Sequence, residues 1–391
     1  MNQLSDNTLG NAIASMSKAP IYLGSPVFRK PAYGRQHPLS IPRVEIVHDI
    51  CQALGWISDD NFQTCPTATF DELTQFHDAD YVRALEKCDR DGLVDAASRK
   101  RFAIGTMENP LFAGVYERAA TAVGGSIRAA ELAIAGRTVF HPAGGTHHGR
   151  PDRASGFCYF NDPVFAILTL LRSGLERVLY IDLDAHHGDG VEDAFAADER
   201  VWTVSVHEAD RWPHSGRLED RGKGRAVNLP VPSGFHDAEL QLITDVVLLP
   251  LIGALQPQAV VITCGADGLD GDPLSRMALT NSSLWATVGQ LTAQISAAVV
   301  VGGGGYNPWT VARCWAGLWG SINQFEMPER LPLSNSDMLG RLECDLIDDE
   351  DIKPEWTTTL ADPITVFAIR EPVRALVDEV ARRRIDLVPA T

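Results

Sequence analysis

The sequence of 391 residues predicts an α/β fold whose parallel sheet is covered on both faces. Three observations carry that prediction. Five β-branched runs, at 137–143, 177–185, 200–207, 258–267 and 297–305, are nearly continuous in apolar residues instead of alternating. Helical patterns at 114–136, 162–173, 188–197, 237–255, 282–296 and 308–322 accompany them. Strands buried on both faces lose the polar alternation, and strands separated by helices pair in parallel. Finally, polar residues gather where each strand ends, which is where such sheets bind ligands.

The strand ends can be taken in chain order. "HPAGGTHHG" follows the first, "DAHHGDG" ends the second and "SVHEAD" the third. "CGADGLDGD" closes the fourth and "GGGGYN" the fifth. Residues 1–20 read as an arm, disordered or in contact with another subunit, and 21–325 as the main domain. Residues 326–391 form an extension with an acidic stretch, "ECDLIDDEDIKPEW", and an amphipathic helix, "REPVRALVDEVARRR".

Composition narrows the class. Hydrophobic residues make up 45%, enough for a sizeable core, and the net charge of −17 argues against a nucleic-acid backbone as partner. Seven cysteines, none in CxxC spacing, read as reduced thiols of a cytoplasmic protein. The N-terminus lacks a basic stretch followed by an apolar run, so no signal peptide is expected. The most apolar segment, "ITDVVLLPLIGAL", carries Asp245 and Pro250 and reads as a core helix too short to span a bilayer.

The densest chemistry lies in "YIDLDAHHGDG" (180–190). Strand alternation would place Asp182, Asp184 and His186 on one face. Buried carboxylates need compensation, and a cation supplies it while accepting a neutral imidazole. Asp267, ending a neighbouring apolar run, is the natural third ligand to Asp184 and His186. Two carboxylates and one imidazole leave a coordination position open for water, as in catalytic sites. In "GGTHHG", His147 and His148 have the carboxylates of Asp182 and Asp189 available as partners. A carboxylate on one ring nitrogen fixes the tautomer for acid–base work by the other. After the four glycines, Tyr306 can donate to a developing oxyanion.

Together these motifs resemble the zinc-dependent histone deacetylase family, including its bacterial acetoin-utilisation and acetylpolyamine amidohydrolase branches. The likeness runs from "HPLSIPR" (37–43) through "HDADYV" (77–82), "HPAGGTHHGRPDRASGFCYFND" (141–162) and "YIDLDAHHGDGVEDAF" (180–195). It continues through "TVSVHEADRWPHSG" (203–216), "GKGRAVNLP" (222–230), "CGADGLDGDPL" (264–274) and "GGGGYNPWTVARCW" (302–315). The resemblance implies a three-layer α/β/α arginase/deacetylase fold. It implies zinc on Asp184, His186 and Asp267, with Fe(II) as an alternative because this donor set discriminates weakly. It pairs His147 with Asp182 and His148 with Asp189, and makes Tyr306 the residue that polarises the amide carbonyl.

The same resemblance implies structural potassium at Asp182, Asp184, His186, Ser205 and Val206, and a second monovalent site near Phe195, Asp198 and Val201. It implies an acyl-lysine channel walled by Gly156, Phe157, Trp212 and Leu274, a rim carboxylate at Glu108, and Arg43 in an acetate-release cavity. The expected reaction is hydrolysis of an acetylated amine, either acetyl-lysine in proteins or an acetylpolyamine or other small acylamide. Direct nucleic-acid and membrane partners are not expected; a homo-oligomer is compatible. Two other readings of the motifs are a binuclear manganese ureohydrolase on the same fold and a non-catalytic acyl-amine-binding protein.

Overall fold

Val178–Asp182 is buried at all five positions and stops at its first carboxylate. This is β4 of the sheet, and its abrupt end is the rule for the central strands. In the computed structural model, which describes residues 18–364 and 366–383, eight strands form one sheet. The others are β1 (Lys18–Gly24), β2 (Phe62–Thr64), β3 (Arg137–His141) and β5 (Val201–Glu208). β6 (Ala226–Val231), β7 (Ala259–Thr263) and β8 (Ala298–Val301) complete it. The order is β2-β1-β3-β8-β7-β4-β5-β6, and every pairing is parallel.

All five predicted strands are present, but four are shorter than their apolar runs, the 137–143 run ending at His141. The segments 177–185, 258–267 and 297–305 stop pairing at Asp182, Thr263 and Val301. The reason is local hydrogen bonding. Beyond β4 and β8 the backbone N–H groups turn to carboxylates: Asp184 N to Asp182, His186 N to Asp184, Ala185 N to Asp267 and Gly304 N to Asp184, while beyond β7 those of Cys264 and Ala266 donate to carbonyls of the glycine run. A ladder cannot continue once its donors are spent elsewhere. Strand alternation therefore does not place Asp182, Asp184 and His186, because only Asp182 is in the strand. Of the expected N-terminal arm, residues 18–20 belong to β1; residues 1–17 lie outside the described residues.

The helices Val115–Ile134 and Asp162–Arg172 pack on each other and on the central strands, while Val44–Ala53, Asn281–Thr292 and Pro308–Ile322 pack together. β7 contributes Val260, Val261 and Ile262 to the core with no exposure, each worth about 1.5–3 kcal/mol of burial. The apolar helix Asp237–Leu255 has 19 residues and a mean hydropathy of 1.7, long enough by length and composition to cross a membrane, which corrects the expectation that its apolar segment is too short. It nonetheless buries Leu240, Ile243, Val247, Leu248, Leu251, Ile252 and Leu255 in the protein core, as a core helix does.

The C-terminal segment is tied to this core. Glu239, with no exposure, accepts from Arg370 Nε at 2.7 Å and Nη2 at 2.6 Å. The helix Glu371–Arg383 buries Val373, Val377 and Val380, the i, i+4, i+7 stripe of an amphipathic helix. Residues 384–391 lie outside the described residues.

Candidate metal centre

The four central strands, β3-β8-β7-β4, deliver the site side by side. β4 leads into Asp184 and His186, β7 into Asp267, β8 into the glycine run, and β3 into the histidine pair. One ligand atom from each of Asp184, His186 and Asp267 lies within 4.8 Å of the others, and all three residues are buried. His186 Nδ1 is 2.8 Å from Asp267 Oδ2 and 3.2 Å from Asp184 Oδ1. Among the described residues this is the one such group of three.

A cation fits this cradle. Two unexposed carboxylates face each other with a single imidazole between them. Burial and the Asp184 charge push the Asp267 pKa up, the signature of negative charge awaiting compensation. The His186 pKa also moves up. Burial alone would lower it, but its bonds to Asp184 and Asp267 raise it to about 10. A divalent ion would replace that proton and leave a neutral imidazole ligand. The glycines make the cradle possible: a Cβ on Gly304 would stand 2.1 Å from Asp267 Oδ2, and one on Gly265 would stand 2.4 Å from Asp184 Oδ2.

Both expected His–Asp pairs are formed. His147 Nδ1 donates to Asp182 Oδ2 and His148 Nδ1 to Asp189 Oδ1, each at 2.7 Å. Each carboxylate is itself held. Asp182 accepts from Tyr180 Oη at 2.6 Å, and Asp189 takes a short charge-assisted bond from Arg150. With Nδ1 committed, Nε2 of each ring is left for chemistry; that of His147 lies 3.8 Å from Asp184 Oδ1. The environments push the rings apart. Burial lowers both, but Asp182 and Asp184 lift His147 to about 9. Burial and the neighbouring His147 charge press His148 down to about 3.

Tyr306 is 7% exposed, with its ring 6.3 Å from His186 and nearly perpendicular to it. Its backbone N–H donates to Asp272 Oδ2 at 2.7 Å. Its hydroxyl makes no hydrogen bond to the described residues, so it is available to a bound carbonyl. Gly156, Phe157, Trp212 and Leu274, the residues expected to wall a channel, line one pocket together with Glu108. Trp212 stands edge-on to His148 at 4.6 Å, and Gly156 (φ +54°) is where any Cβ would strike both rings. Glu108 Oε1 accepts from the Gly156 N–H at 2.7 Å, so the rim carboxylate also shapes the wall.

Asp182 faces Ser205 in the β4–β5 register, which brings the potassium-assigned residues Asp182, Ser205 and Val206 together beside Asp184 and His186. Phe195, Asp198 and Val201 are joined by backbone bonds, while the Asp198 carboxylate grips Arg200. Arg43 lines an inner cavity along with His147, His148, Gly304 and Tyr306.

A model of the histone deacetylase domain matches residues 37–322. The chain belongs to the histone deacetylase family. Histone deacetylase 1 of Homo sapiens is 36% identical over 311 residues, covering 78% of this chain and 64% of the human protein. Histone deacetylase RPD3 of Saccharomyces cerevisiae is 36% identical over 309 residues, covering 77% of this chain and 71% of the yeast protein. This chain therefore spans somewhat less than two thirds of the human relative. The crystal structure of an HDAC homologue from Aquifex aeolicus superposes with a TM-score of 0.88 at 32% identity, covering 93% of this chain and all of that one. A structure described as an HDAC homologue complexed with SAHA matches with the same TM-score and identity. The single parallel sheet with its helices is the fold of this family.

Sequence reading missed one feature of this histone deacetylase site. Glu208, the last residue of β5 and 5% exposed, accepts from Arg211 Nε at 2.6 Å and from the Arg276 N–H at 2.8 Å. Arg211 Nη1 also donates to the Leu274 carbonyl at 2.7 Å. This clasp ties the Trp212 loop to the Leu274 loop. The available signal was a Glu and an Arg three residues apart at a strand end, immediately before the channel tryptophan.

Proposed function

We propose that the protein is a zinc-dependent deacetylase that hydrolyses the acetamide of a linear acylated amine, giving acetate and the free amine. The observation that carries this reading is the buried Asp184–His186–Asp267 cradle beside two His–Asp pairs at the floor of a narrow channel. Zinc, with Fe(II) as the alternative occupant, would be held by those three residues; when bound it lowers the pKa of water toward about 7 and polarises the carbonyl.

The chain's own groups supply the rest. The Tyr306 hydroxyl donates to the carbonyl oxygen as negative charge develops there. A histidine Nε2 accepts the proton of the attacking water, and His148 returns one to the leaving nitrogen. Asp182 and Asp189 hold the rings in the required tautomer. Phe157, Trp212 and Leu274 exclude solvent around an aliphatic stem. The Glu108 oxygen not used by Gly156, together with the acidic surface, favours a cationic remainder.

The substrate is acyl-lysine or an acylpolyamine. The single three-ligand cluster among the described residues supports a mononuclear centre over a binuclear manganese one. The Asp182–Ser205 register supports potassium on Asp182, Asp184, His186, Ser205 and Val206. Seven unpaired cysteines support a cytoplasmic setting.

The test is acetate release from an acetyl-lysine peptide and from acetylputrescine by zinc-loaded protein, before and after chelation. Turnover of at least one that chelation removes and zinc restores is expected; amide cleavage that survives complete metal removal would refute the reading. A smaller effect belongs to the clasp. Arg211→Met is expected to raise KM for the preferred substrate by about tenfold, the equivalent of ~1.4 kcal/mol, with kcat and metal content nearly unchanged. Equal loss in kcat would place Arg211 in the chemistry instead.

A further inference from the structure

The inner cavity carries a charge that the acetate reading does not use. It holds about 120 Å³, far more than the ~10–15 Å³ needed by one water. One end is bounded by the reacting centre, through His148, Gly304 and Tyr306. The channel floor shares His148, Gly156, Phe157 and Tyr306 with it, so a substrate carbonyl held at that junction has its amine toward the mouth and its acyl chain toward the cavity.

Two guanidiniums line this cavity, those of Arg43 and Arg118. Among the described residues neither pairs with a carboxylate. Arg43 donates to the Gly303 carbonyl and lies 4.9 Å from the Trp315 ring centre, while its Nε is enclosed without a partner. Arg118 Nη1 donates to the Phe28 carbonyl at 3.1 Å. The nearby acids are used elsewhere: Glu45 accepts from the Arg43 backbone N–H, and Glu117 binds Lys30. Burial depresses the Arg118 pKa, and the Arg43 charge adds to that depression. The Glu45 charge offsets part of that depression. A guanidinium does not discharge at any working pH, so two of them lining one cavity, with no carboxylate paired to either among the described residues, can receive an anion.

Acetate alone does not account for Arg118, since its single carboxylate forms at the reacting centre, where Arg43 is bonded to Gly303. We infer that the cavity is an acyl subsite for chains ending in a second carboxylate, with Arg118 and Arg43 as its receptors. The substrate class is therefore dicarboxylic acyl amides, such as succinyl- or glutaryl-lysine. This rests on the amidohydrolase reading and extends it. The reaction stays a hydrolysis: the amide C–N bond breaks, water oxygen joins the acyl carbon, the nitrogen leaves as an ammonium ion, and a dicarboxylate is released. No oxidant or co-reactant is required.

The experiment compares acetyl-, butyryl- and succinyl-lysine in one peptide, using zinc-loaded wild type and the Arg118→Gln and Arg118→Lys variants. For wild type, kcat/KM for succinyl is expected to exceed that for its neutral counterpart butyryl by about tenfold or more. Arg118→Gln should remove most of that ratio while changing acetyl hydrolysis less than about twofold, and Arg118→Lys should restore part of it. Inhibition of wild type by glutarate, about tenfold stronger than by butyrate, checks the same site without a variant. If butyryl equals or beats succinyl in wild type, or glutarate inhibits no better than butyrate, the subsite is wrong while acetyl turnover keeps the hydrolase reading intact. If no acyl peptide is cleaved, the same comparison on acetyl-, butyryl- and succinylputrescine decides the subsite, and both readings fall if none of these is cleaved either.

Discussion

Asp267→Ala is expected to lose bound metal and turnover together, the largest effect of any single substitution in this protein. Asp267 is unexposed, and its two oxygens have separate tasks: Oδ2 faces His186 Nδ1 at 2.8 Å and Oδ1 accepts the Ala185 N–H at 3.0 Å. Removing it takes away one of three donors, a heavier loss than the 10–100-fold typical when an outer partner of a ligand is removed. Losing the metal's contribution, several kcal/mol at the transition state, corresponds to roughly 10³-fold or more in rate. Elemental analysis after dialysis and an acetate-release assay read the two losses. Stability gives an independent check. Without metal the wild type confines Asp184 and Asp267 at close range, so chelation should lower its unfolding temperature. The variant has one carboxylate fewer to confine, so its unfolding temperature should respond little to chelator. Asp267→Asn keeps the volume and an oxygen donor, and should fall between them in metal retention. A fully metallated, active Asp267→Ala protein would overturn the assignment of this cradle.

What was legible in the sequence depended on whether the signal was local. β-branched runs located β3, β4, β5, β7 and β8 because burial on both faces leaves an uninterrupted apolar stretch. β1, β2 and β6 escaped for opposite reasons. Phe62–Thr64 is only three residues long, while Ala226–Val231 carries Asn228 and Pro230 inside the strand, where a ladder is least expected. The ligand set was legible as residue types, but its geometry was not. Asp184 and His186 owe their places to a loop whose N–H groups are held by carboxylates, and no periodicity encodes that. Asp182 and Asp189 could be read as available partners for the histidine pair, but which ring takes which carboxylate came from the family resemblance. The Glu208–Arg211 pair itself was visible as residue types, but its distant partners, the Arg276 N–H and the Leu274 carbonyl, are backbone groups, and Arg43 and Arg118 meet only at a cavity; neither kind of partner leaves a mark on residue type.

Tyr306→Phe separates oxyanion stabilisation from metal binding. The substitution removes one hydroxyl that has no protein partner among the described residues, so it leaves no donor or acceptor stranded. The ring keeps its contacts with Phe157 and His186, at 6.0 and 6.3 Å, and the backbone N–H keeps Asp272. Folding and metal content should therefore match wild type. The loss falls on kcat, by about 10²–10³-fold, or ~3–4 kcal/mol, the usual cost of one oxyanion donor in an enclosed site. KM should move little, because the bond strengthens only as charge appears on the oxygen. The pH dependence sharpens the test. Burial, followed by the charges of Asp267 and Asp184, raises the Tyr306 pKa well above its ordinary value. The phenol therefore stays protonated, and a donor, throughout the neutral and mildly alkaline range. Wild type and Tyr306→Phe should accordingly show parallel pH–rate profiles displaced by a constant factor, with no alkaline limb that only the wild type possesses. A wild-type limb that disappears in the variant would mean that Tyr306 ionises in the working range and acts as an acid instead of a fixed donor. Unchanged kcat in the variant would remove it from the reaction altogether.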